Sequence, residues 1–259
     1  MAVNIKSSRE IELMREAGRI LSIVHDEIKK IIRPGITTLE IDTYAESLIH
    51  KMGCIPSFKG YEGFPASVCI SINDEVVHGI PSRDRILQEG DILSIDGGVI
   101  YKGFHSDAAR TWAVGKISKE AEKLIKVTEE SFYEGIKYAK EGYYLYDISK
   151  AIGEYCEARG YGVVRDLVGH GIGRELHEDP QVPNFKQDRK GMKLREGMTL
   201  AIEPMITNGS YEVAWNEEDG WTVTTYDGSL SAHYENTILI TKGEPEILSL
   251  RNNAEEKDV

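Results

Sequence analysis

The chain has 259 residues, of which 41% are hydrophobic, and 25 glycines bring the apolar class to about half; this is the make-up of a folded protein with a sizeable core and excludes disorder as the main state. A net charge of −12 and a pI near 5.1 exclude a general nucleic-acid binder and an anionic membrane surface as partners, because both call for a Lys/Arg surplus. No apolar run is long enough to cross a membrane, the first ten residues lack a signal-peptide core, and three unclustered cysteines, Cys54, Cys69 and Cys156, offer neither a disulfide framework nor a CxxC zinc site. The expectation is a soluble, cytosolic protein.

Ser7-x-x-Glu10 reads as a capping box. Behind it Ile11, Met14, Leu21, Val24, Ile28 and Ile31 recur at helical spacing until Arg33-Pro34-Gly35 ends the run. A second box, Thr37-x-x-Glu40, opens a helix with Ile41, Ala45, Leu48 and Met52 that stops at Gly53. Strands are expected around Val68, Ile70 and Ile72, over 92–95 and over 109–112, with turns at Ile80-Pro81-Ser82, Glu89-Gly90-Asp91 and Lys102-Gly103. Ser118 then caps a helix that carries Leu124, Phe132, Ile136 and Ala139 to Glu141-Gly142, and a shorter helix from Leu145 to Tyr155 ends at Gly160. Strand patterns follow over 198–202, 220–225 and 232–241. The order of two helices followed by strands occurs twice, so the expectation is one internally duplicated α+β domain over residues 1–259, with halves about 1–115 and 116–250 and a frayed tail from about Asn252.

Acids and histidines inside apolar strands carry the chemistry. A hairpin turning at Tyr101-Lys102 sets Asp96 directly opposite Asp107; a turn one residue later pairs Asp96 with Ala109 and Gly98 with Asp107. Opposed like charges destabilise a sheet unless a cation lies between them. Glu203 ends an apolar strand and Glu235 lies inside another, where an unpartnered carboxylate is costly. Gly169, Gly171 and Gly173 bracket His170, which reads as a loop, and His177 follows at a spacing unlike the i,i+4 of a zinc helix. His78 closes a strand, while His25, His50 and His105 read as structural or surface groups. Four carboxylates and an imidazole balance two divalent ions and suit Mn, Fe or Co better than a structural zinc. Two ions sharing carboxylates generate hydroxide near neutral pH. The residues thus describe a candidate dinuclear hydrolase.

Gly60-Tyr-Glu-Gly-Phe-Pro65, Ser67-Val-Cys-Ile-Ser-Ile-Asn73, His78-Gly-Ile-Pro81, Gly103-Phe-His-Ser-Asp107, Gly169-His-Gly-Ile-Gly173, His177-Glu-Asp-Pro180, Met198-Thr-Leu-Ala-Ile-Glu-Pro204 and Ser231-Ala-His-Tyr-Glu235 together resemble the type I methionine aminopeptidases of bacteria, the short form within metallopeptidase family M24. The resemblance runs from about Ile5 to Leu248 and implies the pita-bread fold, removal of the initiator methionine ahead of a small second residue, and two divalent ions such as Co, Mn or Fe(II). It implies Asp96, Asp107, His170, Glu203 and Glu235 as metal ligands, with Asp107 and Glu235 bridging and a bridging hydroxide that attacks the first peptide carbonyl. By the same resemblance Glu203 passes the proton, His177 polarises the carbonyl, and His78 sits near the departing nitrogen. Tyr61, Phe64, Cys69 and Trp221 would form the methionine pocket; read without the resemblance, the three aromatics are ordinary core residues. Three positions depart from the family's pattern: Leu176 stands where an aromatic is common, His233 where glutamine is common, and Asn236 where histidine is common. Strand alternation puts His233 on the face of Glu235 and turns Asn236 away.

The resemblance also implies a cytoplasmic monomer that acts on nascent polypeptides, with neither the N-terminal zinc-binding extension nor the helical insert of other branches. Contact with the ribosome would follow from that role, although no basic patch in the sequence supports it. The competing enzyme is a proline-specific aminopeptidase or dipeptidase on the same fold, whose proline pocket and long N-terminal domain are absent here. A non-catalytic, RNA-associated binding protein would show lost ligands and a basic surface, and a creatine-type hydrolase is a more distant alternative.

Overall fold

The computed structural model describes residues 3–250. The tail expected from about Asn252 lies outside the described residues. Both N-terminal capping boxes form. The Ser7 hydroxyl accepts from the Glu10 N–H at 3.4 Å while the Glu10 carboxylate accepts from the Ser7 N–H at 2.9 Å, which starts α1 (Ser8–Ile31). Thr37 and Glu40 start α2 (Thr38–Lys51) in the same way. The first group of extended segments comprises β1 (Ile55–Pro56), a 3-10 turn η1 (Tyr61–Gly63), β2 (Val68–Ile72), β3 (Glu75–Val77), β4 (Ile92–Tyr101) and β5 (Phe104–Ala113). Two more helices follow, α3 (Lys119–Ile136) and α4 (Leu145–Glu157). The remaining strands are β6 (Gly162–Val163), β7 (Gly169–Gly171), β8 (Glu178–Val182), β9 (Thr199–Ile202), β10 (Met205–Thr207), β11 (Val213–Trp215), β12 (Val223–Thr225), β13 (Ser231–His233), β14 (Asn236–Leu239) and β15 (Glu246–Ile247).

One sheet is built on β4, with β2 and β1 along one side and β5 along the other. A five-stranded sheet runs β15-β14-β9-β7-β8, and two three-stranded sheets run β13-β10-β6 and β11-β12-β3. All named pairings are antiparallel. The helices cover one side of these sheets. From α1 and α2, Leu21, Ile28, Ile41 and Ile49 pack with Leu93, Ile95 and Val99 of β4. From α3 and α4, Phe132, Ile148 and Ile152 pack with Leu200, Ile202 and Ile238. Burying side chains of this size contributes on the order of 1.5–3 kcal/mol each, so both layers are held by the apolar stripes visible in the sequence.

One register left open is decided, and three local expectations change. The β4–β5 hairpin turns at Lys102-Gly103, both left-handed with φ 49° and 82°, because a two-residue turn of that hand matches strand twist. Asp96 therefore pairs with Ala109 and Gly98 with Asp107, and the directly opposed register is not adopted. Helix α3 stops at Ile136, short of Ala139 and Gly142, since the Glu141 N–H takes the carbonyl of Thr241 as its partner at 2.9 Å. The 220–225 strand shortens to β12, because the Asp219 carboxylate accepts from the N–H groups of Trp221 and Thr222 at 2.8 and 2.9 Å and folds them into a turn. His170 sits on the strand β7 and not in a loop. Its flanking glycines are there for space: a Cβ at Gly169 would lie 2.4 Å from the Ala201 carbonyl oxygen, and one at Gly171 would lie 2.3 Å from that of Asp179.

Candidate metal centre

The stretch expected as one strand over 232–241 is interrupted at Tyr234-Glu235, and its partner is interrupted at Glu203-Pro204. Before the interruption Ile202 pairs with Asn236; after it Met205 pairs with His233. The register is the same on both sides, so Glu203 and Glu235 face each other across the gap. Proline has no N–H to offer a ladder, and Pro204 contributes only its carbonyl, which accepts from the Tyr234 N–H at 3.2 Å. Glu235 instead exchanges backbone hydrogen bonds with Ala109 of β5, the residue that pairs with Asp96. Asp107 is tied by both its backbone groups to the Thr237 hydroxyl, at 2.9 Å each. His170 pairs with Ala201 on β9. Three strand positions and the two facing gaps thus bring Asp96, Asp107, His170, Glu203 and Glu235 to one point.

From behind, Arg110 fastens this junction. Its guanidinium donates to the carbonyls of Ala109 and Glu235 and to the Asn236 side-chain oxygen, and it stacks on Tyr234 with 4.4 Å to the ring centroid. Asn236 also accepts from Ser249 at 3.0 Å. It faces away from the acids, as alternation requires, yet it is fully buried in the structure that places Glu235. His233 is buried with neither ring nitrogen hydrogen-bonded, and its Nε2 lies 3.8 Å from Glu203 Oε2.

Single ligand atoms of Asp107, His170 and Glu235 all fall within 4.8 Å of one another. His170 Nε2 is 3.9 Å from Asp107 and 3.6 Å from Glu203. Its Nδ1–H donates to the Gly171 carbonyl at 2.8 Å, which leaves the Nε2 lone pair facing the acids. Burial lowers the imidazole pKa to about 3, so the ring is neutral. Burial pushes Asp96 up to about 7 and, with the neighbouring carboxylates adding to it, holds Asp107, Glu203 and Glu235 well above the usual carboxylate range. Among the described residues no lysine or arginine lines the site. Asp96 Oδ1, Asp107 Oδ1 and Glu235 Oε1 are buried without a hydrogen-bond partner. Unpartnered acid oxygens, clustered around an imidazole lone pair and without a counter-cation, fit divalent metal.

These acids form the floor of a cavity of about 150 Å³, which Tyr61, Phe64, Cys69, His78, His177 and Trp221 also line. All eleven residues singled out in the sequence therefore meet in one place. Cys69 pairs with Asp96 in the β2–β4 ladder and is buried; desolvation and the acids beside it hold its thiol neutral. Trp221 packs edge-on to Phe64 at 5.1 Å and to His78 at 6.2 Å between ring centroids. Burial lowers His78 to about 4. Phe58, Glu62 and Leu176 also line the cavity. Of these, Phe58 and Glu62 were not anticipated, although both lie in or beside the Gly60–Pro65 motif. His25 bonds the Ala108 carbonyl at 2.9 Å, His105 bonds Ser57 at 3.0 Å, and His50 lies in the last turn of α2; none of the three lines the cavity. Among the described residues no helix is long and apolar enough to cross a membrane.

The family model described as metallopeptidase family M24 matches residues 12–242. The methionine aminopeptidase of Clostridium acetobutylicum is 57% identical over 246 residues, covering 95% of this chain and 98% of that one. Methionine aminopeptidase 1 of Bacillus subtilis is 52% identical and covers 94% and 98%. The crystal structure of the Thermotoga maritima methionine aminopeptidase superposes with a TM-score of 0.94 at 45% identity, covering 96% of this chain and all of that one. The two helical layers over curved antiparallel sheet are the pita-bread fold of these enzymes, and the chain belongs to metallopeptidase family M24 and, within it, to the methionine aminopeptidases.

Proposed function

We propose that the chain hydrolyses the first peptide bond of polypeptides that begin with methionine, with the roles of its residues set by the cavity just described. The observation that carries this is the junction of an apolar slot with a floor of unpartnered acids. The cavity of about 150 Å³ is shared by the slot and the acids, which limits the slot to a single side chain. Phe64, Cys69, Trp221 and Tyr61 surround the methionine side chain, whose polarizable thioether suits aromatic edges. Asp96, Asp107, His170, Glu203 and Glu235 would hold two divalent ions of the Mn, Fe(II) or Co class. When bound there, such ions supply acidified water and polarise a carbonyl oxygen.

The remaining work falls to side chains. Glu203, at the interrupted strand, takes a proton from the attacking water and returns it to the departing amine. His177, at the mouth, faces the carbonyl oxygen and stabilises the charge it gains. His78, kept neutral by burial, lies against the departing nitrogen and the second residue, where a small side chain fits. In this proposal the chain acts as one catalytic unit in the cytoplasm, as a monomer, on nascent chains that carry an initiator methionine and reach it at or near the ribosome.

The test is methionine release from Met-Ala-Ser against Ala-Pro-Ser, with protein stripped of metal and resupplied anaerobically with Mn, Fe(II) or Co. Release from the methionine peptide alone, and only with metal, is expected. Cleavage of the proline peptide instead would overturn the assignment.

A further inference from the structure

Tyr61 forms a wall of the methionine slot, but its hydroxyl points to a second use. Its Oη lies 2.8 Å from Nδ1 of His177, and the two rings meet edge-on with centroids 5.2 Å apart. We propose that Tyr61 is a positioning residue that fixes the tautomer and ring orientation of His177, so that an Nε2–H and not a bare lone pair meets the carbonyl oxygen of the scissile bond. This inference rests on the proposed role of His177.

A neutral imidazole carries one N–H and one lone pair, and the partner of one nitrogen decides what the other presents. Among the described residues Nδ1 of His177 is the one polar atom hydrogen-bonded to the Tyr61 hydroxyl, so the phenol's single proton finds an acceptor only there. The phenol therefore donates, Nδ1 accepts, and the proton of His177 resides on Nε2. His170 is set the opposite way. Its Nδ1–H is committed to the Gly171 carbonyl, so its Nε2 presents a lone pair. The two rings are in contact, 4.3 Å between centroids and 80° between planes. Neighbouring histidines thus present a metal-binding lone pair and a hydrogen-bond donor to adjoining parts of one site, each fixed by its own partner.

The backbone at Tyr61 suits this use. η1 is flanked by Gly60 at φ 84° and closes on Gly63 at φ 94°, with Glu62 also left-handed at φ 49°. A Cβ at either glycine would meet nothing within 4 Å, so the glycines serve the left-handed turn and not close packing. Hydrogen bonds from Tyr61 N to the Phe58 carbonyl at 2.9 Å and from Phe64 N to the Tyr61 carbonyl at 2.8 Å close it further. A turn so constrained holds the hydroxyl against His177 without help from substrate.

Tyr61→Phe keeps the wall and deletes the donor. With Met-Ala-Ser and resupplied metal, kcat is expected to fall about tenfold, the size of one lost hydrogen bond, while KM changes less than about twofold. Tyr61→Leu, which removes the wall as well, should raise KM in addition. In a His177→Ala background, Tyr61→Phe should cause no further loss. Nitrogen-15 spectra should show His177 as a single Nε2–H tautomer in the wild type and as a mixture in Tyr61→Phe. Wild-type kcat in Tyr61→Phe, an undiminished loss on top of His177→Ala, or an unchanged tautomer would overturn the inference and leave the role of His177 standing. Wild-type kcat in His177→Ala would overturn that role itself.

Discussion

At the residue scale, the acids of the site differ in how firmly they are held. The backbone of Asp107 is clamped by Thr237 and that of Glu235 by Ala109 and Arg110, so neither carboxylate can leave the cluster when its charge is removed. Asp107→Asn and Glu235→Gln preserve shape, and each should lower turnover more than about 100-fold with reduced metal content, beyond the effect typical of groups that only support ligands. The fold should survive, because each change also removes a negative charge from a repelling set. Peptide turnover beside elemental analysis decides the matter; near wild-type turnover with full metal in either variant would refute the ligand assignment. The acids and histidines could be picked out in the sequence because a charge inside an apolar strand is conspicuous. Their mutual geometry could not. His233, placed on the face of Glu235 by alternation, lies 3.8 Å from Glu203, the acid that faces Glu235 across the gap. Asn236, which alternation turns away from the acids, braces Arg110.

At the element scale, the helices were legible and the strands only partly so. Capping boxes and 3.6-residue stripes are local signals, and α1, α2 and α4 follow them closely. The end of α3 depends on Thr241, about a hundred positions away, and nothing near Ile136 announces it. The β4–β5 register turned on a non-glycine residue, Lys102, taking a left-handed backbone. The most misleading segment was 169–173, where glycine suggested a loop and in fact admits neighbouring strands at contact distance. This predicts that Gly171→Ala drives a Cβ into the Asp179 carbonyl and costs about 1–3 kcal/mol, lowering Tm by several degrees at this chain size. Gly243 has nothing within 4 Å of a would-be Cβ and no left-handed φ, so Gly243→Ala should leave Tm unchanged. Calorimetry on the pair checks the argument, and equal melting points would contradict it.

On the scale of the whole molecule, the α+β class and the alternation of helix pairs with strands were readable, because they depend only on the order of elements. The convergence of strands from several sheets on one acidic point was not, since it is set by long-range pairing. That convergence makes stability depend on what fills the site. In metal-free protein, Asp96 has a folded pKa of about 7 against about 3.9 unfolded. The folded state then binds more protons at this group than the unfolded state does between those values, so the contribution of Asp96 to stability is fully present below about pH 4 and is lost as pH rises toward 7. Chelation should therefore lower Tm, and by more at pH 8 than at pH 5, while resupplied metal restores it. Melting curves of verified metal-free protein at the two pH values test this; identical shifts, or none, would be evidence against it.

The facing gaps at Glu203 and Glu235 also bear on when the site can come into being. A growing chain that has reached only β5 has Asp96 and Asp107 but lacks the histidine and both glutamates. If these five residues hold the ions, their donor set is complete only when β14 has docked on β9 and β5. A fragment ending before that strand lacks the Thr237 hydroxyl that holds the backbone of Asp107, so the acids take their final places only once the last central strand is home.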